Sequence, residues 1–123
     1  LKLKCVRAQE VVVGGFTDPK GSRSGLGALL VGVYDGDELR YAGKVGTGFD
    51  AATLHVLYRE LHARERPTSP FAQRVREPGV HWVEPELVVQ VGFAEWTTSG
   101  HLRHPRYLGR RPDEDPTDVV REP

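Results

Sequence analysis

The chemistry most legible in this sequence sits at its two ends. Lys2 and Lys4 stand two apart in Leu1-Lys2-Leu3-Lys4, and on an extended segment that spacing puts both ammonium groups on one face. Two compact point charges side by side can hold a phosphate and its leaving group. The same K-x-K also suits a solvated strand edge that resists pairing with other chains. Near the other end lies Arg103-His104-Pro105-Arg106-Tyr107-Leu108-Gly109-Arg110-Arg111-Pro112-Asp113. Arg103 and Arg111 flank an aromatic strand, with Asp113 just beyond. Guanidinium forks match phosphate oxygens, and Asp113 can orient Arg111 or take part in phosphate chemistry. Taken alone, this run is equally a surface strand rich in arginine.

Other candidates are more diffuse. In Lys20-Gly21-Ser22-Arg23-Ser24-Gly25 the glycines let backbone approach a phosphate, and Lys20, Ser22 and Arg23 can donate to it. The run does not fit the G-x-x-x-x-G-K-[ST] phosphate loop, and it is also readable as a flexible polar loop. Lys44 is a similar contact candidate. His55 and His62 share a helix face, but no cysteine pair accompanies any of the five histidines, so no metal site is expected. His104 meets either phosphate or solvent. Phe71, Trp82, Trp96 and Tyr107 can stack bases, although Trp82 and Trp96 adjoin an apolar strand and core or rim packing suits them better.

These groups must be carried by one small domain, since 123 residues make room for no more. With 38% hydrophobic and 28% charged residues the chain should form a core and not stay disordered. No apolar run approaches the ~20 residues that span a bilayer, and no secretory leader is visible. The chain opens directly on strand-like alternation, as a segment inside a longer protein would. The single cysteine, Cys5, points to a reduced, cytosolic setting. The net charge of zero argues against a general polyanion binder, but the charge is unevenly placed. Residues 1–23 hold five cations against two acids, and residues 101–111 hold four arginines and no acid. Local patches of this kind bind phosphates within a neutral domain.

The elements follow from pattern. Glu10 to Phe16 is a β-branched strand, and Thr17 to Gly25 is turn chemistry throughout. Ala28 to Tyr34 is apolar on both faces, Asp35-Gly36-Asp37 turns a hairpin, and Leu39, Tyr41, Gly43 and Val45 are expected on one face of the third strand. Asp50 caps a helix whose Leu54, Leu57, Tyr58 and Leu61 form one stripe, with a Glu60–Arg64 pair on the wet side. Pro67 and Pro70 stop it. Val80 to Val83 and then Leu87 to Trp96 form the fourth strand region, Thr98-Ser99-Gly100 turns, and Arg103 to Leu108 is a last short strand interrupted by Pro105. Three strands, a helix and two strands is the order of an all-β fold with one helix: the five-stranded Greek-key OB barrel, with its helix between strands three and four.

Taken together, the two end motifs resemble those of nucleotidyltransferases that form an enzyme–nucleotide intermediate. Lys2 and Lys4 match motif V; Arg103, Pro105, Tyr107, Arg111 and Asp113 match motif VI, which in DNA ligases ends the OB domain. The stretches Gln9 to Phe16, Pro19 to Gly25, Tyr41 to Phe49, Thr68 to Phe71, His81 to Val83 and Phe93 to Thr97 resemble the C-terminal OB domain of bacterial ATP-dependent DNA ligases of the ligase D type. The resemblance implies residues 1–5 as the end of an adenylation domain, 6–112 as the OB domain and 113–123 as an acidic C-terminal tail. It implies that Lys2, Lys4, Arg103, Arg111 and Asp113 act on ATP, with Mg²⁺ in the full ligase, and that Lys20, Ser22, Arg23 and Lys44 touch nicked duplex DNA. The family's K-x-D-G nucleophile is absent: Gly43-Lys44-Val45-Gly46 lacks the aspartate, so this chain alone should seal nothing. The implied partners are the adenylation domain in cis, polymerase and phosphoesterase domains and a Ku-type end-binding protein. The implied setting is non-homologous end joining and DNA repair in the bacterial nucleoid, with no membrane. Two other readings stand beside it: a free-standing OB module for single-stranded nucleic acid, and the OB domain of an RNA-capping guanylyltransferase.

Overall fold

The structure, a computed structural model, describes residues 7–19 and 25–121. It contains β1 (Arg7–Thr17), β2 (Leu29–Asp35), β3 (Glu38–Val45), α1 (Ala51–His62), β4 (Val80–Trp82), β5 (Val88–Phe93), β6 (Glu95–Trp96), β7 (Leu102–Arg103) and β8 (Arg106–Arg110). Five strands run β3-β2-β1-β5-β8, all neighbours antiparallel, and β4 joins the far end of β1. Among the described residues no helix is long and apolar enough to cross a membrane.

β1 organises the fold. Its first half pairs with β5 from Arg7↔Phe93 to Val12↔Val88, and its second half pairs with β2 from Val12↔Gly32 to Phe16↔Leu29. The β2 register shifts between Val13 and Gly15, so Gly14 is an extra residue and the strand bends there. Val11 to Phe16 are all buried. One strand in two ladders, covered on both sides, needs unbroken apolar character, which the run of three valines supplies. The loop after α1 lays Phe71 over this bend. A Cβ on Gly14 would meet the Phe71 ring at 2.5 Å and one on Gly32 at 2.8 Å, so only glycine leaves room for the ring.

The β2–β3 hairpin turns at Gly36, whose φ of +65° is the left-handed conformation glycine tolerates. In β3 the buried residues are Leu39, Ala42 and Val45, not the expected Leu39, Tyr41, Gly43 and Val45. Gly32 pairs with Tyr41 and Val31 with Gly43, so Ala42 bulges and the alternation slips by one.

Helix α1 starts where expected: the Asp50 carboxylate accepts from the Thr53 amide at 2.7 Å. That bond, with a further one to the Thr53 side chain, lowers the Asp50 pKa. Leu54, Leu57 and Leu61 are buried, each contributing roughly 1.5–3 kcal/mol, and Tyr58 packs at the rim. The expected Glu60–Arg64 side-chain pair does not form. Arg64 instead donates to the Glu60 backbone carbonyl at 2.8 Å and to Glu86 at 3.1 Å, which frees the Glu60 carboxylate for β8.

The last strands also differ from expectation. The alternation from Leu87 does not run unbroken to Trp96, because β6 leaves the barrel after Phe93 and pairs with β7 as a separate two-stranded ribbon. His104 then takes a φ of +54°, Pro105 follows, and the chain re-enters the barrel as β8. Near β3, the Tyr107 amide donates to the Thr47 carbonyl at 2.9 Å, drawing β8 to the end of β3 and closing the barrel. Among the described residues the arrangement is mostly strand with one α-helix, as the order of elements implied, and a short 3-10 turn at Pro116–Asp118 follows β8.

Candidate functional site

β8 and the short ribbon before it carry the arginine-rich run. Tyr107 anchors it: the ring is buried and stacks on Phe49 with centroids 5.0 Å apart. Burial pushes the Tyr107 phenol pKa up, the nearby Arg110 guanidinium opposes that shift, and Glu60 and Asp50 add to it. Leu108 is an extra residue opposite β5, so it turns outward and Gly109 and Arg110 resume the ladder. Arg110 lies half-buried, ion-paired with Glu60 on α1, while its Nε finds no hydrogen-bond partner. The Arg111 amide donates to the Val88 carbonyl at 2.9 Å, fixing the backbone just past the strand.

Among the described residues, the cations that the sequence singled out, Arg103, Arg111 and Lys44, are held by carboxylates. Arg111 Nη1 lies 2.8 Å from Glu10 Oε2 and Arg103 Nε 2.8 Å from Glu95 Oε2. Lys44 Nζ lies 2.7 Å from Glu77 Oε2. The Arg103 side chain is 49% exposed and that of Arg111 37%, so both remain open to an incoming anion. Exposed pairs of this kind contribute little, roughly 0–1 kcal/mol each. They keep a guanidinium in place without committing it. Asp113 is exposed just beyond Arg111, in a turn where the Glu114 amide donates to the Arg111 carbonyl at 3.2 Å.

The structure does not gather all candidates at one point. Arg103 is on the ribbon, Arg111 at the end of β8 and Lys44 near the end of β3, and each pairs with an acid on a different element. Lys2, Lys4, Lys20, Ser22 and Arg23 lie outside the described residues. Among the stacking candidates, Phe71 and Tyr107 are buried and present no free face, and Trp82 packs edge-on to Phe71 at 6.0 Å. Trp96 is partly open and lies under the Arg121 guanidinium at 4.5 Å. Spacing along the chain did not expose Glu10, Glu77 and Glu95 as partners and assigned Glu60 to Arg64 instead of Arg110, because each pairing joins segments far apart in sequence or set by the ribbon's fold. Gln9 was also missed as a site residue. It is buried and its Nε2 donates to the carbonyls of Glu10 and Val120.

The family model of the ATP dependent DNA ligase C terminal region matches residues 22–114, from the loop before β2 through the whole arginine-rich run. The chain belongs to this family. It is 44% identical to the Multifunctional non-homologous end joining protein LigD of Pseudomonas aeruginosa, over 99% of this chain and 15% of that protein. It is 40% identical to the Multifunctional non-homologous end joining DNA repair protein LigD of Mycobacterium tuberculosis, over 99% of this chain and 17% of that one. This ligase C-terminal domain therefore spans less than a fifth of these relatives. Its fold superposes on the ligase domain of M. tuberculosis LigD with a TM-score of 0.91 at 40% identity, covering 97% of this chain and 40% of that one. A mycobacterial DNA ligase D complexed with ATP and MES gives a TM-score of 0.86 at 38% identity, covering 97% of this chain and 39% of that one.

Proposed function

We propose that this domain closes over ATP through Arg103 and Arg111 during self-adenylation of an ATP-dependent DNA ligase, then turns another face to nicked duplex DNA. The observation that carries the reading is the Arg111–Glu10 pair. A partly exposed guanidinium, on backbone fixed to β5, already holds an anionic oxygen at 2.8 Å. A phosphate oxygen is an acceptor of the same kind, so the exchange asks little of the arginine's geometry. Arg103 offers a second fork of the same type on the ribbon.

In this reading Arg103 and Arg111 orient the pyrophosphate as leaving group, Asp113 orients Arg111, and Lys2 and Lys4 hold the AMP phosphate and nearby DNA. Lys20, Ser22, Arg23 and Lys44 meet the DNA backbone, where cations supply salt-dependent affinity; Lys44 exchanges Glu77 for a phosphate. ATP with Mg²⁺ supplies the α-phosphate and neutralises charge on the departing pyrophosphate. The nucleophilic lysine belongs to an adenylation domain in cis that ends at residues 1–5, with 6–112 as the barrel and 113–123 as its tail, and the isolated chain is inactive. The similarity to LigD proteins supports a role in bacterial non-homologous end joining, beside polymerase and phosphoesterase domains and a Ku-type partner, in the nucleoid.

The test is Arg111→Ala in the full ligase. Enzyme–AMP formation should fall about a hundredfold or more, the usual cost of losing one aimed donor, while sealing of a pre-adenylated nick stays within a few-fold. Equal loss in both steps would refute the assignment to the first.

A further inference from the structure

The C-terminal segment builds a cleft that the motif arginines do not use. The Tyr34 amide donates to the Val119 carbonyl at 2.7 Å, Val120 runs parallel beside Tyr34, and Val119 is buried. The Gln9 side chain fastens the same segment through the Val120 carbonyl at 2.9 Å. This strap forms one wall, the β6–β7 ribbon and its turn form another, and the β2–β3 hairpin and Gln73 on the loop after α1 contribute the remaining residues. The cleft is open to solvent and has a volume of about 620 Å³, within the range of small-molecule sites.

The lining has a definite chemistry. Tyr34, Tyr41 and Trp96 supply three partly open rings, and Arg40 and Arg121 supply two guanidiniums. Arg121 already stacks on Trp96 at 4.5 Å, and a planar guanidinium over an indole is itself a surface on which a base can stack. Arg40 is engaged only by exposed acids, Glu38 at 3.1 Å and Asp35 at 3.8 Å, pairs that solvent screens and a phosphate can displace. Trp96 Nε1 is buried and has no hydrogen-bond partner among the described residues. Burial, reinforced by the Glu77 carboxylate, pushes the Tyr41 phenol pKa up to about 12, so it stays a neutral donor.

Rings that accept any flat heterocycle and two cations for a backbone are the features of a single-strand site. Duplex DNA keeps its base faces stacked and offers none to these rings. We propose that this cleft takes a nucleotide of an unpaired strand, its base against Trp96 and Tyr41 and its phosphates toward Arg40 and Arg121. None of Arg103, Arg111 or Lys44 lines it, so the proposal stands apart from the self-adenylation reading.

The 123-residue chain, carrying Trp82→Phe so that Trp96 is the sole tryptophan of the two, is titrated with a short oligo-dT, a blunt duplex and free AMP. Oligo-dT should quench the emission and shift the Trp96 indole N–H resonance. Arg121→Ala should weaken binding about fivefold or more and lower the slope of log affinity against log salt by about one. With the affinity of these tryptophan-free variants read by anisotropy of a labelled oligo-dT, Trp96→Phe should retain part of it and Trp96→Ala should lose it. Because Trp96→Ala also removes packing from the ribbon, the indole resonance with Trp96 intact decides the matter. An unmoved resonance overturns the proposal, as does a response to duplex or AMP at concentrations equal to or below those needed for oligo-dT.

Discussion

Gly48→Ala tests how the barrel closes. Gly48 has a φ of +97°, beyond the region an L-residue adopts at low cost. A Cβ there would lie 2.5 Å from the Tyr107 carbonyl oxygen and 2.6 Å from its amide nitrogen. Both are backbone atoms, so no side-chain rotation relieves the clash. The backbone conformation alone costs roughly 1–2 kcal/mol. Relief requires β8 to withdraw from the turn after β3, breaking the Tyr107 N–H bond to the Thr47 carbonyl, which is worth roughly 0.5–1.5 kcal/mol. The Phe49–Tyr107 stack shares that turn and adds a similar amount. The sum is about 2–5 kcal/mol, a large share of the roughly 5–15 kcal/mol of a whole domain. Gly36→Ala is the control. Its φ is +65° and nothing lies within 4 Å of the added methyl, so only conformational strain of about 1 kcal/mol applies. Urea unfolding of both variants, followed by circular dichroism, compares the midpoints at unchanged slope. If Gly48→Ala falls within about 0.5 kcal/mol of Gly36→Ala, the close approach of Gly48 to β8 does not hold the barrel shut.

Two further perturbations read other parts of the structure. Tyr41 has its pKa raised from 10.0 to about 12, so above pH 10 the unfolded chain loses a proton that the native state keeps, and stability falls with pH across that window; Tyr41→Phe should flatten the slope without abolishing it, since Tyr34 and Tyr107 are shifted the same way, and an unchanged slope in urea unfolding from pH 9 to 12 would discount Tyr41. Val119→Asp places a carboxylate in a site 2% exposed, at a cost of about 2 kcal/mol or more, and should strip hydrogen-exchange protection from the Tyr34 amide while leaving that of Val31; continued protection at Tyr34 would mean that Val119 does not hold the strap.

The legible part of the fold is the part governed by local pattern. The valines of β1, the leucine stripe of α1 and the Asp50 cap all lie where periodicity and capping place them. The errors cluster where one residue was inserted into a ladder. Ala42 shifts the buried face of β3, Leu108 turns outward from β8, and the excursion through β6 and β7 splits what reads as one long strand. A bulge leaves no mark in composition, because the residues on either side still alternate; only the partner strand shows that the count differs. Glu60 illustrates the same limit for charge. Its spacing to Arg64 suits a helix pair, but Arg110 reaches α1 from β8 and takes the carboxylate.

Charge also links the sequence to the site. A net charge of zero argues against binding a polyanion if the charges act independently, but here they are paired. Arg111, Arg103 and Lys44 each neutralise a glutamate of the same domain, so the basic run is electrically quieter than its sequence suggests. Under the proposed function, phosphate binding at these positions is an exchange of anions, not the filling of an open cationic patch. At exposed sites the carboxylate that is left behind returns to water at little cost, so affinity depends on how many exchanges occur together, not on any single one. A polyphosphate or a DNA backbone presents several phosphates at once and can drive several exchanges; an isolated phosphate drives one. The domain should therefore be nearly indifferent to inorganic phosphate while responding to polyanions of matching spacing, and its salt dependence should count the pairs exchanged.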